Sequence, residues 1–323
     1  MSRKITDDIR TILQSSRHAP SSHNTQPWKV NVNGSSVAVG FSPERQLNVG
    51  DPEKRELYIS LGCFIESFVL SAEELGYKVK AEFIGNEPLL IVRLGLVKGS
   101  TSGGVGWAKL IAVRRSDRRF YEPKKLNAKT IDSLTSISGK DASFRIFSDK
   151  TTIDFLSGET YSATYKTMLN PAFRAELASW VRNNWTKKHD GMPGYTQGIP
   201  GPVSLLAKLV LKKNKGVAKV QAKKDSQRLL HSEAVGLICA HKQSPAAWIE
   251  AGRLYQRACL IALKDGVKSS GVSAAIIDPE TTKKITKELN LAGNPVALLR
   301  FGYTKNNPKA SPRLTLSHFV TEK

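Results

Sequence analysis

Two stretches of this chain repeat one another, and that repetition restricts the fold more than any single motif does. Pro88, Arg93, Gly95 and Lys98 recur at the same intervals as Pro295, Arg300, Gly302 and Lys305. Upstream, Gly62 and Gly76 are spaced as Gly252 and Gly266 are, and each second glycine closes a long helical pattern. Self-similarity over such a distance is the mark of one supersecondary unit used twice. Two halves on one plan are therefore expected, 1–98 and 107–323, with the glycine- and serine-rich residues 99–106 as a flexible linker.

The first half reads as a helix, a hairpin, a second helix and two strands. Thr6, Asp7 and Asp8 look like a cap ahead of Ile9, Ile12 and Leu13, and the helix should stop near Ser15 and Ser16, before Pro20. Residues 29–33 and 36–41 alternate apolar and polar side chains around Asn33 and Gly34, a pair suited to the positive φ of a tight turn. Leu57, Leu61, Ile65, Phe68, Ala72 and Leu75 then fall at helical spacing, and strands follow at 78–84 and 88–94. In the second half Asn127 should cap a helix over 127–136, a strand covers 143–147, and a long helix covers 246–264. Between that strand and that helix, residues 149–242 form an insertion without counterpart. Its aromatic, glycine- and proline-rich part, with Trp180, Trp185, Asp190, Met192, Tyr195 and Pro202, predicts a lid at about 180–215.

Composition excludes several classes. A chain of 323 residues with 40% hydrophobic content can bury a substantial core. No apolar run approaches the roughly 20 residues that span a bilayer, and acids come before any apolar run at the start. Neither secretion nor membrane contact is expected, and the cytoplasm is the expected compartment. Cys63, Cys239 and Cys259 are odd in number and lack CxxC spacing, as reduced core thiols do. The histidines, His18 and His23 among them, show no ligand spacing, so no metal is expected. The net charge of +21 would concentrate phosphates, nucleotides or nucleic acid. The lysine run over 208–224 has no interleaved aromatics, so it reads as a solvated basic face, and nucleic-acid binding is the weakest reading.

Two polar motifs carry the chemistry. Pro20, Ser21, Ser22, Asn24, Gln26, Pro27 and Trp28 form a rare string, and Arg114, Ser116 and Arg118 stand in a basic cluster far downstream. Alone, the cluster reads as an exposed basic loop. Together the motifs resemble the fingerprint of the nitroreductase family, in which the arginine–serine stretch comes first and the Pro-Ser-Ser stretch follows soon after. Here the order is reversed. The first half has the Pro-Ser-Ser turn without the arginines, since only four residues precede its helix, whereas the second half has the arginines but carries residues 137–143 in place of the turn. Each half lacks what the other supplies.

The chain is most similar to the single-chain, doubled branch of that family, the Acg branch. Further carriers are Asp51, Pro52, Arg55 and Glu56 with Ser60 and Gly62, Trp248 with Ala251 and Gly252, Asp190 with Pro193, Leu299 with Arg300, and Ser311-Pro312-Arg313. The resemblance implies an α+β fold of two nitroreductase-like halves, a pseudo-dimer with mixed, mostly antiparallel sheets wrapped by helices. It also implies one FMN between the halves. Arg114, Ser116 and Arg118 suit the phosphate, since a guanidinium matches its oxygens bidentately. Ser21, Ser22, Asn24 and Gln26 suit the donor–acceptor edge of the ring, with Pro20 and Pro27 stiffening the turn. By the same resemblance Arg313 would add a phosphate contact, and Arg55 would approach the ring or else pair with Asp51 or Glu56. Backbone within 271–276, with Ala274 and Ala275, would face the flavin N5, although Val272, Ala274 and Ile276 also alternate as a buried strand does.

The implied activity is hydride transfer from NAD(P)H through FMN to a small-molecule nitroaromatic or quinone-like acceptor, with no catalytic side chain required. The alternative is a lidded protein that stores or sequesters FMN without reductase activity. With the pairing internal, the chain can be monomeric.

Overall fold

The computed structural model describes residues 2–87, 90–99 and 104–322. Pro88 of the repeat and residues 100–103 of the expected linker lie outside them.

The first helix, α1 (Ser2–Ser16), begins earlier than the Thr6–Asp8 cap predicts. Ile5 packs on the core one turn before the buried Ile9, so the apolar stripe already runs through the supposed cap. Strands β1 (Trp28–Asn33) and β2 (Ser36–Phe41) pair antiparallel around Gly34, whose φ of 56° the turn requires. Helix α2 (Arg55–Glu74) follows, then β3 (Tyr77–Glu87) and β4 (Leu90–Lys98).

Then follow α3 (Trp107–Val113), which delivers the basic cluster, and α4 (Ala128–Thr135), where Asn127 accepts the Thr130 N–H at 2.7 Å. Next come β5 (Ala142–Phe147), α5 (Lys150–Leu169), α6 (Pro171–Trp180), the two-residue strands β6 (Val181–Arg182) and β7 (Met192–Pro193), α7 (Gly201–Lys213) and α8 (Val217–Leu230). The chain continues with β8 (Ala234–Ala240), α9 (Pro245–Lys264), β9 (Lys268–Gly271), α10 (Ala274–Ile277), α11 (Pro279–Glu288), β10 (Asn294–Gly302) and β11 (Val320–Glu322).

Two expectations are corrected here. Strand β8 falls inside the expected insertion 149–242 but belongs to the central sheet, so the inserted part ends with α8; all seven residues of β8 are buried, which removes the alternation that marks a strand. The alternation of Val272, Ala274 and Ile276 is likewise not a strand, because the chain leaves the sheet at Gly271 and turns into α10.

The fold is α+β with predominantly antiparallel sheets. One sheet has the order β11-β1-β2-β4-β3 and the other β5-β8-β10-β9. Four antiparallel strands in each follow one connection rule, with first next to second, second next to fourth, and fourth next to third. The exception is β11, whose Val320 pairs parallel with Val30 and ties the C-terminal arm to the first sheet. Between second and third strand each set has a 20-residue helix, α2 or α9, and these helices pack on one another at Gly62 and Gly252. A single apolar cluster, from Ile9 and Trp28 to Trp248 and Phe301, runs through both sheets. No helix among the described residues is long and apolar enough to cross a membrane.

Candidate functional site

The Pro-Ser-Ser turn is held in an uncommon conformation. His23, Asn24 and Gln26 all have positive φ, at 51°, 56° and 52°. Left-handed backbone at three residues that are not glycine is unfavourable and persists only where surrounding bonds impose it. They do so here: Ser21 Oγ accepts the Gln26 N–H at 2.9 Å, and Ser22 Oγ donates to Glu56 at 2.6 Å. The Asn24 amide donates to the carbonyls of Gly191 at 2.9 Å and Pro312 at 3.0 Å, while its oxygen accepts from Arg313 at 2.6 Å. Gln26 is fully buried; its amide donates to the His189 carbonyl at 2.8 Å and accepts the Leu314 N–H at 2.8 Å. Asn24 and Gln26, expected as ring contacts, therefore have their side chains bonded to the protein, stitching the turn to the inserted segment and to the C-terminal arm.

The basic loop approaches from the other half. Asp117 N–H donates to the Ser269 carbonyl at 2.9 Å, which lays the loop along β9. Arg300 is fully buried beneath it and donates to the carbonyls of Asp117 at 2.8 Å and Arg119 at 2.5 Å, with its guanidinium over the Tyr121 ring at 3.9 Å. Its repeat counterpart, Arg93, lies half exposed near Glu82 at 3.8 Å. The arginines of β4 and β10 thus differ in role, and only Arg300 braces the loop. Sequence reasoning identified Arg300 as a repeat marker and missed that role, since the loop it braces is remote in sequence. Burial opposes the charge on Asp117, but hydrogen bonds from Arg119 and Thr304 outweigh it and hold its pKa below the ordinary value.

Turn, loop and arm meet at a cavity of about 410 Å³ whose walls include Pro20, Ser21, Asn24, Arg114, Ser116, Arg118 and Arg313. This is within the range of small-molecule sites. Ser22, Gln26, Arg55, Ala274 and Ala275 are not in its lining. Ser22 is turned toward Glu56, and Ala275 is buried in α10. Arg55 makes neither of the ion pairs weighed for it among the described residues; Asp51 instead accepts the N–H groups of Glu56 at 3.0 Å and Leu57 at 2.8 Å at the start of α2.

Eight basic residues line the cavity against one acid, Asp117, which is already paired with Arg119 at 2.6 Å. Arg114 and Arg313 both donate to the His18 carbonyl at 3.2 Å, and each keeps a buried Nε without a partner. Among the described residues no carboxylate pairs with Arg114, Arg118 or Arg313. Burial, with Arg114, Arg115 and Arg17 nearby, brings Arg313 down to about 9, and burial with Arg228 lowers Arg118. Burial and the same arginines bring His18 to about 4, while burial and Arg118 bring His23 to about 4, so both imidazoles are neutral at pH 7. Buried guanidiniums without counter-charge are costly unless an anion joins them. A phosphate monoester has the charge and the oxygens to do so.

The inserted segment forms the opposite wall through Met192, Tyr195, Thr196, Gln197 and Gly198, with Lys224 and Arg228 from α8. It is fastened in place. Gly191 N–H donates to the Asn24 carbonyl at 3.2 Å, and Asp190 pairs with Arg45 at 3.3 Å and Arg182 at 2.8 Å. Tyr195 Oη donates to the Ala310 carbonyl at 3.1 Å. Trp185, expected as a lid contact, is exposed and packs against Gly201 instead. Lys224 and Arg228 were missed because the lysine-rich run around them reads as a solvated face.

With this geometry in view, the known relatives are informative. A Mycobacterium tuberculosis protein named "Putative NAD(P)H nitroreductase Rv3131" is 32% identical over 127 residues, covering 36% of this chain and 34% of the relative. The chain is similar to nitroreductases over that stretch. A second relative from the same organism, "Putative NAD(P)H nitroreductase acg", is 24% identical over 181 residues, 54% of each chain. The matches thus span about a third and about half of these relatives' own lengths. Among solved structures, the FMN-dependent nitroreductase NfnB of Mycobacterium smegmatis aligns with a TM-score of 0.43 at 17% identity, covering 65% of this chain and 94% of that one. A nitroreductase with bound FMN from Bacteroides fragilis aligns with a TM-score of 0.42 at 12% identity, over 68% and 98%. No family model matches the chain.

Proposed function

We propose that the chain binds one FMN in this cavity and acts as a nitroreductase-type oxidoreductase, passing hydride from NAD(P)H to a nitroaromatic or quinone-like acceptor. The observation that carries the reading is the set of guanidiniums at Arg114, which is buried, and at Arg118 and Arg313, which are half-buried; among the described residues they have no carboxylate partner, and they line a cavity shared with the Pro-Ser-Ser turn. We further propose that the halves 1–98 and 107–323, joined by 99–106, form an internal pseudo-dimer with a single site. The identical strand order and the Gly62–Gly252 contact support that pairing.

FMN, when bound, supplies two-electron chemistry by accepting and releasing hydride. The rest is the work of this chain. Arg114, Arg118, Arg313 and Ser116 hold the phosphate, and Arg300 keeps their loop in place. Pro20, Ser21 and Asn24 present the turn to the ring, and the cationic lining favours the anionic reduced form. No side chain needs to act as acid, base or nucleophile.

A second reading is FMN storage, favoured by the fastened roof of Met192 and Tyr195 over the cavity. Two measurements separate the possibilities. Purified protein that is colourless after incubation with FMN and removal of the unbound flavin would exclude both readings. If it is yellow, anaerobic mixing with NADPH or NADH decides: bleaching supports the reductase, and persistent colour supports storage.

A further inference from the structure

Helix α7 is built the wrong way round for a helix on a globular protein. Surface helices turn apolar residues inward and polar ones outward. Here Ser204 and Ala207 are buried and Leu211 packs on the Val181–Met192 cluster, while Val203, Leu205, Leu206, Leu209 and Val210 face solvent. Val203, Leu205 and Leu206 are 56%, 60% and 59% exposed. The spacing 203, 206, 210 with 205, 209 makes these five one continuous stripe along a 13-residue helix. Trp185, itself 62% exposed, lies against Gly201 at the head of the stripe and extends it.

The rim of this apolar face is strongly cationic. Between residues 187 and 219 the sequence holds seven lysines and one acid, Asp190. That acid is engaged by Arg45 and Arg182. Lys212 and Lys213 are exposed at the end of the helix, and the pKa of Lys208, on its flank, is lowered by burial and by the charges of Arg182 and Lys188 nearby. A second copy of the chain would bring two such belts together, which like-charge repulsion opposes. Nucleic acid would satisfy the lysines but leave the leucines in water. An anionic bilayer meets both demands, since acyl chains accept the leucines, the headgroup boundary accepts a tryptophan, and lipid phosphates pair with the lysines.

We propose that α7, with Trp185 and the surrounding lysines, docks the protein peripherally on an anionic phospholipid surface. This departs from the expectation, drawn from the absence of a spanning segment, that the chain has no membrane contact. Docking requires no spanning helix, and it does not depend on what the cavity binds.

The test uses the full chain and sedimentation with vesicles of phosphatidylglycerol mixed with phosphatidylcholine, against vesicles of phosphatidylcholine alone. The protein is expected to sediment with the anionic vesicles at low salt, to be released by high salt, and to show blue-shifted tryptophan emission that brominated lipid quenches, a change lost in Trp185→Phe. Leu206→Glu with Leu209→Glu, and separately Lys208→Glu with Lys212→Glu and Lys213→Glu, should each weaken binding roughly tenfold or more. Parent protein that stays in the supernatant with anionic vesicles at low salt overturns the proposal. Self-association that the leucine variant abolishes would assign the face to a second copy instead. Tryptophan quenching is read on the unmodified chain, in which Trp185 is the one exposed tryptophan among the described residues, so the proposal is testable even if a variant misfolds.

Discussion

Gly62 and Gly252 contact each other symmetrically: a Cβ placed on Gly62 would lie 2.0 Å from the Ile249 carbonyl oxygen, and one placed on Gly252 would lie 2.0 Å from that of Ile59. Each obstructing carbonyl is three residues before the opposite glycine. Helices α2 and α9, each between the second and third strand of its set, therefore touch backbone to backbone at equivalent positions.

Gly62→Ala or Gly252→Ala should destabilise the fold by about 3 kcal/mol or more, because the obstruction is backbone and cannot rotate away. Alanine's helix propensity offsets less than about 1 kcal/mol of that. Chemical denaturation measures the loss. The double variant should cost less than the two singles added, since one displacement of the helices relieves both clashes.

Arg114→Ala should weaken FMN binding by about 1.5–3 kcal/mol, as expected for a hydrogen bond to a charged group. Fluorescence titration reads the affinity, and the variant should also show a shallower salt dependence. An unchanged dissociation constant would remove Arg114 from the phosphate contacts.

Arg300→Leu should also weaken FMN binding, although Arg300 does not itself line the cavity, because the carbonyls of Asp117 and Arg119 lose their donor. Stability should fall as well, by about 1–3 kcal/mol for the buried groups left unpaired. Raised FMN concentration should restore colour in this variant more readily than in Arg114→Ala.

Acid should destabilise the protein through His18 and His23. In the unfolded chain they protonate near 6.5, whereas in the fold both are held at about 4. Between these values the unfolded state binds more protons, so the stabilisation is complete above 6.5 and is lost as pH falls toward 4. Melting temperatures across this window should drop, and His23→Asn should flatten the drop. Phosphate or FMN should flatten it too, by neutralising the arginines that disfavour the imidazolium.

Asp190→Ala should loosen the roof. Arg45 and Arg182 both lose their carboxylate, and the change should cost about 1–3 kcal/mol of stability. FMN release, followed by dilution into apo-acceptor, should become faster. A storage protein would then gain reactivity toward NADPH, whereas a reductase would mainly lose affinity.

Local patterns account for what could be read in advance. The hairpin followed from alternation around Gly34, and α2 and α9 followed from helical periodicity with glycines closing them. Arg114, Ser116, Arg118, Pro20, Ser21 and Asn24, which line one cavity, belong to two motifs of distinctive composition, whereas Arg313 of the same lining was drawn from the family resemblance. Strand β8 was hidden because a strand buried on both faces has no alternation. The tasks of Asn24 and Gln26 were hidden for another reason: their partners Gly191, His189, Pro312 and Leu314 lie far along the chain. Nothing near an asparagine indicates a bond to a residue 167 positions away.

Those same bonds carry a mechanical consequence. The Gly191 backbone and the Asn24 residue exchange hydrogen bonds in both directions, so the cover of the cavity is anchored to the turn that forms its seat. A cover hinged elsewhere could swing away and leave the seat as it was. This one cannot lift without releasing the left-handed residues that its bonds help to hold, so access to the cavity and the shape of the cavity are controlled by one part.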